Sequence, residues 1–360
     1  MTATARATVD IFRFRRMKLQ VHKLAALFGA SFALSASVAW GQTTLRLADS
    51  LPAGHVIAQL VTKPFMDQVQ KESGGRISFQ YFPGEQLGKA RDLLMLTQSG
   101  VADVGYISPD YASDKMPLTA GFELPGIFLD YCQGTKALWA ATHDGGYLQK
   151  KEFEPNQIVP IVMLMLPAYQ ILLENGRPVA GLKDLSGLKI RSAGGAMDFT
   201  LQRLGMVPVK MTPPEVYESM SRGTIDGAVF PYMSAMSYGM QPLVKQGSTS
   251  HNFGTVVLTY SIGFNKWRQL SLADQGVIMK VGRSISLGSC TRFSTVEKES
   301  ADAFRAKGMK VIPLSPVDDS QLKTTFEKVS GDWAKSLDQR GKPGDETLSA
   351  VKQAIIDAQK

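Results

Sequence analysis

The sequence predicts an α/β protein whose two lobes face each other across a cleft. The main observation is a strand–helix–strand–helix–strand unit that occurs once in the first half of the chain and again in the second. The first unit closes with Gln98-Ser-Gly-Val-Ala-Asp-Val-Gly105, and the second closes with the similar run Ser221-Arg-Gly-Thr-Ile-Asp-Gly-Ala228. No low-complexity linker separates the units, which is expected if paired strands join the lobes.

The first unit follows from local patterns between residues 43 and 107. Thr43 to Ala48 alternates apolar and polar residues, and His55 to Lys71 has a helical pattern that a Gly-Gly pair ends. Arg76 to Phe82 alternates again and predicts a second strand. Lys89 to Ser99 predicts a second helix, and Val101 to Ile107 a third strand.

The second unit repeats this order. A short apolar strand over Leu188 to Ile190 precedes a glycine turn and a helix over Ala196 to Leu204. Pro208 to Met211 predicts the next strand, Pro214 to Arg222 a helix, and Ile225 to Phe230 the last strand. Ligands of such sheets usually lie beyond the carboxyl ends of the strands, so we expect a binding site there.

Two longer apolar strands, Ile158 to Leu166 and Thr255 to Phe264, are predicted to carry the chain between the lobes. The chain after Leu270 is predicted to be mostly helical, with charges on one face of its helices. The predicted lobes comprise residues 42–165 with 255–292, and residues 166–254 with 293–360.

Residues 1–41 have the features of a secretory signal peptide. Basic residues precede an apolar run from Leu24 to Ala39, and Ala39 with Gly41 supplies the small residues for cleavage before Gln42. A membrane anchor is the alternative, but the run is shorter than the ~20 apolar residues that a span needs. Because the basic segment is long, both Met1 and Met17 stay open as the start of translation.

Removing this segment changes the charge of the protein. It contains six of the lysines and arginines and one acid, so five of the eight net positive charges leave with it. The mature chain is close to +3 and has no basic run, which makes nucleic acid a poor partner. This small positive net charge favours a small anionic ligand.

Cys132 and Cys290 are the only cysteines. An exported protein enters an oxidising compartment, so the two cysteines could form a disulfide. Because sequence alone cannot bring their Cα atoms within bonding range, the interpretation we favour is two separate buried thiols.

Four segments give the chain a family resemblance: DLSGLKIR (184–191), PPEVYESMSRGTIDG (213–227), YFPGEQLGKARDLLMLTQSGVADVGYI (81–107) and LPGIFLD (124–130). In this order they resemble the solute-binding proteins of tripartite ATP-independent periplasmic (TRAP) transporters, of the type that binds four-carbon dicarboxylates. The resemblance implies a two-lobed periplasmic-binding-protein fold that closes around an organic acid. It also implies delivery of that acid to small and large membrane permease subunits, with no cofactor.

Arg191 is the first candidate site residue, since it follows the strand Leu188 to Ile190 directly. A guanidinium can hold a carboxylate through two parallel hydrogen bonds. The resemblance places a carboxylate clamp at this residue, whereas an arginine at a strand end is otherwise usually exposed or paired with an acid. Ser192 and Gly194 come next, where a helix start also favours an anion.

Two departures from the family pattern bear on the ligand. Members that bind polar acids often have a second arginine about twenty residues earlier, near Ile171, and an asparagine where this chain has Phe230. Losing a cation and an amide removes polar partners, so a second carboxylate would be desolvated without compensation. We therefore expect an apolar or aromatic monocarboxylate, with a dicarboxylate as the alternative.

The remaining candidate site residues could contact the ligand or could have a structural role. Phe230 and Tyr232 could stack on a ligand ring or fill the core. Tyr106 lies beside the end of the third strand of the first unit, where it could face the cleft or belong to the core or surface. His55 could donate to the ligand, or could be structural or cap a helix.

No motif of an enzyme is present. The histidines of the mature chain lack HExxH spacing, and there is no CxxC pair, nucleophile elbow, P-loop or dinucleotide fingerprint. We therefore predict a receptor without cofactor or metal rather than an enzyme. A periplasmic sensor that presents a carboxylate to a signalling partner is a further alternative.

Overall fold

The structure is a computed structural model that describes residues 42–128, 130–174, 176 and 178–359. The predicted signal peptide lies outside the described residues. The strands are β1 (Thr43–Ala48), β2 (Ile77–Phe82), β3 (Val104–Ile107), β4 (Ile158–Met165), β5 (Gln170–Leu173), β6 (Lys189–Ser192), β7 (Val207–Lys210), β8 (Gly227–Phe230), β9 (Gln246–Gly247), β10 (Val257–Gly263) and β11 (Lys310–Val311). The α-helices are α1 (Lys63–Glu72), α2 (Leu93–Gln98), α3 (Tyr131–Thr142), α4 (Ala196–Arg203), α5 (Pro213–Ser221), α6 (Tyr232–Ser237), α7 (Phe264–Trp267), α8 (Leu272–Ala306), α9 (Pro316–Gln339) and α10 (Gly344–Asp357).

These strands form two sheets. The first has the order β2-β1-β3-β10-β4, in which β1 is parallel to β2 and β3, while β10 is antiparallel to β3 and β4. The second has the order β11-β9-β5-β8-β6-β7, with β6 parallel to β7 and β8. Two sheets built around the two repeated units confirm the predicted α/β fold.

The two apolar strands that were predicted to link the lobes lie side by side. β4 and β10 pair antiparallel along their length in the first sheet, with a shift of register between Tyr260 and Ser261. Each sheet takes its strands from the residues assigned above to one lobe. The lobe boundaries themselves stay a prediction.

Several element boundaries differ from those expected. β3 begins at Val104 rather than Val101, because Asp103 lies in the preceding turn, where its carboxylate binds the Arg46 guanidinium at 3.0 Å. β6 continues to Ser192, so Arg191 lies within the strand. The helix expected from Ser300 is the end of α8, a single helix of 35 residues.

The cysteines are paired, so the expectation of two separate thiols is wrong. Cys132 lies in the first turn of α3 and Cys290 in the middle of α8, and packing of these helices brings their Cα atoms to 5.1 Å in a disulfide. The bond closes a sequence separation of 158 residues. Such a constraint on the unfolded chain is worth roughly 2–4 kcal/mol.

Each sheet contributes to an apolar core. The larger cluster packs side chains of the first sheet with those of α8 and α9, and a smaller cluster lies on the face of the second sheet that carries Leu172, Ala228 and Phe230. Within the described part of the chain, no helix has the length and apolar character needed to cross a membrane.

Candidate ligand-binding site

Arg191 lies near the carboxyl end of β6, the strand of the second sheet between β7 and β8. Its side chain is fully buried. Nε donates to the Met211 carbonyl at 3.1 Å, Nη1 donates to the Val229 carbonyl at 3.2 Å, and the guanidinium carbon lies 4.8 Å from the centre of the Phe230 ring. Nη2 has no hydrogen-bond partner.

No carboxylate of a described residue contacts this guanidinium directly, although its charge acts on the nearby Asp110 carboxyl. Among the residues that the structure describes, Arg191 forms no ion pair. A buried charge without compensation is costly, and it is normally paired or fully hydrogen-bonded. The ligand-free site is therefore short of one anionic or acceptor group at Nη2.

Four rings form a chain of contacts beside Arg191, and we call them the aromatic row: Tyr169, Phe230, Tyr238 and His55. Phe230 lies 6.1 Å from Tyr169 and meets Tyr238 edge-on at 6.1 Å. Tyr238 in turn lies 5.1 Å from the imidazole of His55. His55 comes from the segment after β1, and Phe230 and Tyr238 come from β8 and the end of α6, so the row joins residues of both predicted lobes.

Arg191 and two members of this row, Tyr238 and His55, each carry a buried polar atom without a hydrogen-bond partner. In the described residues, seven buried side-chain oxygen and nitrogen atoms have no hydrogen-bond partner. They are His55 Nε2, Ser108 Oγ, Arg191 Nη2 and Tyr238 Oη, together with Asp110 Oδ1 and Oδ2 and Glu123 Oε2, two neighbouring carboxyls that bond to each other when one is protonated. Native proteins leave few such atoms, so a group of them points to a missing partner.

Asp110 and Glu123 are acidic members of this group. Burial raises the pKa of Asp110 to about 6, and burial together with the neighbouring Asp110 carboxyl raises the pKa of Glu123 well above its ordinary value. Asp110 approaches the start of α4 closely, because a Cβ atom at Gly195 would lie 2.3 Å from its Oδ1. Only glycine fits at that position without displacing the carboxylate.

The other predicted site residues have partners within the protein. The Ser192 hydroxyl donates to Asp198, and the Tyr232 hydroxyl donates to the Ser248 carbonyl at 2.7 Å. Tyr106 packs edge-on against Tyr260 at 5.6 Å. Gly194 has a φ of 105°, and a Cβ there would lie 2.7 Å from Lys210 Cε. The structure thus brings together three predicted residues, Arg191, Phe230 and His55.

Ile171 does not lie where the sequence argument placed it. It pairs with Val229, whereas Arg191 pairs with Ala228 and Phe230 is two residues beyond Ala228. Because successive side chains of a strand point to opposite faces, Ile171 lies on the opposite face of the sheet from Arg191 and Phe230. The missing arginine at this position therefore does not bear on the same ligand.

Tyr169, Tyr238 and Asp110 were missed in the sequence. Tyr238 follows the short helix after β8, and Asp110 follows β3, so both come just beyond the carboxyl ends of strands, which is the available signal. Tyr169 precedes β5, and no local pattern distinguishes it from a core tyrosine. Among the described residues, no group of His, Cys, Asp and Glu is arranged to hold a metal ion.

Comparison with known proteins decides the family. The model of the bacterial extracellular solute-binding proteins, family 7, matches residues 47–336. The chain belongs to this family. The resemblance to TRAP solute-binding proteins is thereby confirmed, and with it the role of a solute-binding receptor. This family is a receptor family rather than a class of enzymes.

Relatives cover most of the chain. The C4-dicarboxylate-binding periplasmic protein of Rhodobacter capsulatus is 28% identical over 345 residues, which is 88% of this chain and 97% of that protein. A solute-binding protein of Albidiferax ferrireducens is 25% identical over 291 residues, 78% of this chain and 83% of that one.

Solved structures share the fold. A marine metagenome TRAP solute-binding protein specific for aromatic acid ligands, in complex with metahydroxyphenylacetate, superposes with a TM-score of 0.81 at 23% identity, covering 89% of this chain and 100% of its own. A TRAP solute-binding protein from Rhodoferax ferrireducens, in complex with benzoate, gives a TM-score of 0.79 at 23% identity, with coverage of 88% and 99%.

Proposed function

We propose that this protein is a periplasmic receptor that binds an aromatic monocarboxylate between its lobes and delivers it to a TRAP permease. The observation that carries the proposal is the fully buried Arg191 guanidinium, which has an unpartnered Nη2, no ion pair with any described residue and the Phe230 ring beside it. A ligand carboxylate supplies the missing anion.

Charge and geometry at Arg191 favour a carboxylate. Two of the guanidinium nitrogens are held by the Met211 and Val229 carbonyls, so the orientation of the group is fixed before a ligand arrives. A carboxylate at Nη2 gains a charge-assisted hydrogen bond, which is roughly twice as strong as a neutral one. Prior fixing of the donor reduces the entropy lost on binding.

The side chains around Arg191 favour an aromatic ligand. Tyr169, Phe230 and Tyr238 offer ring faces and edges, and aromatic pairs contribute about 0.5–1.5 kcal/mol beyond the area that they bury. The row offers no second cation, because burial lowers the pKa of His55 to about 3 and keeps its imidazole neutral. A second carboxylate placed there would be desolvated without a charged partner.

Relatives support both the proposal and its alternative. Proteins of the same fold have been solved with metahydroxyphenylacetate, benzoate and mandelate, at 19–23% identity to this chain. The Rhodobacter capsulatus relative is named for four-carbon dicarboxylates. A dicarboxylate is therefore the second candidate ligand for this chain.

Membership of the family supports the transport role. The relatives from Rhodobacter capsulatus and Vibrio cholerae are named periplasmic proteins, which supports the predicted signal peptide at residues 1–41 and a mature N-terminus near Gln42. Ligand binding shifts the equilibrium between open and closed lobes by its differential affinity for the two. The closed form is the state that we propose the permease subunits recognise.

Calorimetric titration of an acid panel tests the ligand class. We expect benzoate or phenylacetate to bind at least tenfold more tightly than succinate or malate, because covering 100 Å² of apolar area is worth roughly 2.5 kcal/mol. Phe230→Asn should narrow that gap by weakening the aromatic acids. Phe264→Asn is the matched control, since Phe264 is partly exposed and contacts Arg268, and it should leave the gap unchanged. A preference for a four-carbon dicarboxylate would overturn the ligand class and leave the receptor role intact.

A further inference from the structure

We propose that His55 and Tyr238 form an uncharged hydrogen-bonding subsite that selects aromatic acids carrying a hydroxyl group remote from the carboxylate. The inference rests on the proposed function and names the substrate class more narrowly. It is based on two unpartnered buried atoms, one from each predicted lobe, at the end of the aromatic row.

The hydrogen-bonding role of His55 is fixed by its backbone neighbour. Nδ1 lies 3.1 Å from the Ile57 N–H and accepts its hydrogen bond. In a neutral imidazole whose Nδ1 accepts, Nε2 carries the hydrogen and is a donor. The residue is 1% exposed, and that Nε2 has no acceptor within reach. His55 therefore presents a buried N–H that requires a ligand oxygen.

Tyr238 adds the complementary capacity. Its ring is 5.1 Å from the His55 ring, and its hydroxyl oxygen is buried without a partner. A tyrosine hydroxyl both donates and accepts, whereas the His55 N–H only donates. A ligand hydroxyl has the same two capacities, so it can accept from His55 while it donates to Tyr238. A carboxylate could only accept, and it would meet no charge to compensate its own.

The position of this pair separates it from the clamp. Phe230 contacts both Arg191 and Tyr238, and Tyr238 contacts His55, so two ring contacts lie between the guanidinium and the imidazole. A single ligand that lies along Phe230 and Tyr238 would thus place its carboxylate at Arg191 and its hydroxyl at His55.

A hydrogen bond between the neighbouring residues holds the His55 segment against the Tyr238 segment. The Val56 N–H donates to the Ser237 hydroxyl at 3.2 Å, immediately beside His55 and Tyr238 in both segments. The pair is therefore assembled where the segment after β1 meets the end of α6. Because neither side chain is charged, the pair gains most from a ligand hydroxyl that bonds to His55 Nε2 and to the Tyr238 hydroxyl at once.

Titration of matched acid pairs tests the subsite. The probes are benzoate against 3- and 4-hydroxybenzoate, and phenylacetate against its hydroxylated forms, each measured by calorimetry at pH 7.5. We expect at least one hydroxylated acid to bind wild-type protein about tenfold more tightly than its parent, the size of one net hydrogen bond. His55→Leu and Tyr238→Phe should each bring that ratio close to one.

Two further variants make the result specific. His55→Gln keeps a side-chain N–H donor and should restore part of the preference. Tyr81→Phe is the control, because the Tyr81 hydroxyl is already bonded to Asp49 at 3.2 Å, and the ratio should stay at its wild-type value.

The outcomes separate this inference from the proposed function. If the parent acids bind and Arg191→Ala abolishes that binding, but no hydroxylated acid is preferred, the subsite is refuted and the receptor proposal stands. The same holds if the preference survives both His55→Leu and Tyr238→Phe. If no aromatic acid binds the wild-type protein, the proposed ligand class fails and the subsite fails with it.

Discussion

Asp49 and Arg191 are buried ionisable residues at the carboxyl ends of strands in the two repeated units, yet their surroundings are opposite. Asp49 directly follows β1, and both of its carboxylate oxygens accept hydrogen bonds. Its donors are the Leu51 N–H (2.8 Å) and the hydroxyls of Tyr260 (2.9 Å), Tyr81 (3.2 Å) and Thr62 (3.3 Å). Arg191 has two carbonyl partners and an Nη2 without any.

The contrast shows how a structural polar residue differs from one that serves a ligand. Buried polar groups are almost always hydrogen-bonded, so a fully partnered Asp49 is explained by the fold alone. Arg191 is not explained in this way, and neither are the unpartnered atoms of His55 and Tyr238 around it. Substitution of Asp49 should therefore lower the stability of the protein, whereas substitution of Arg191 should abolish ligand binding.

The largest effect that the comparison predicts is on stability at Asp49. Asp49→Ala would leave buried donors on Leu51, Tyr81 and Tyr260 without an acceptor, at about 1–3 kcal/mol for each such group. We expect the free energy of unfolding, measured with urea, to fall by about 3 kcal/mol or more. Asp67→Ala, at an exposed helical position, is the control and should change it by less than about 0.5 kcal/mol. A loss below about 1 kcal/mol would mean that Asp49 is not the structural residue described here.

Substitution of Asp110 is expected to raise the free energy of unfolding, by less than substitution of Asp49 lowers it. Burial raises the pKa of this carboxyl to about 6 from an ordinary value of 3.8, so the folded protein holds the proton more tightly than the unfolded chain does. Stability is then present at low pH and is lost as the pH rises through about 6. Asp110→Asn cannot ionise, so it should stabilise the ligand-free protein at pH 7.5 by about 1 kcal/mol, because it removes a buried negative charge.

The pH dependence provides the check on that substitution. Melting temperatures of wild-type protein and Asp110→Asn should differ at pH 7.5 and converge towards pH 4.5, where the wild-type carboxyl is protonated as well. A variant that is less stable than wild type at pH 7.5 would show that the carboxylate of Asp110 is satisfied in the ligand-free protein.

The comparison also shows where sequence reasoning reaches its limit. The order of strands and helices and the place of Arg191 could be predicted, because strand periodicity and the position beyond a strand end are local signals. Tyr169 and Tyr238 could not, since only the packing of β5 and α6 brings their rings to Phe230.

Two other expectations failed because they depended on non-local geometry. Ile171 is close to the expected position along the chain, but the register of β5 against β8 turns it to the other face. Cys132 and Cys290 are 158 residues apart, and only the packing of α3 on α8 makes them neighbours. Register and helix packing are not visible in a single sequence.

The thermal shift of Arg191→Ala with an aromatic acid tests the central claim most directly. At about 100 times its dissociation constant, a ligand adds about 2.7 kcal/mol to the stability of wild-type protein, so benzoate or the tightest acid of the panel should raise its melting temperature clearly. Arg191→Ala should fold but show no shift, whereas the control Arg222→Ala, on an exposed helix end, should keep it in full. An undiminished shift in Arg191→Ala would contradict the assignment of this guanidinium as the carboxylate clamp.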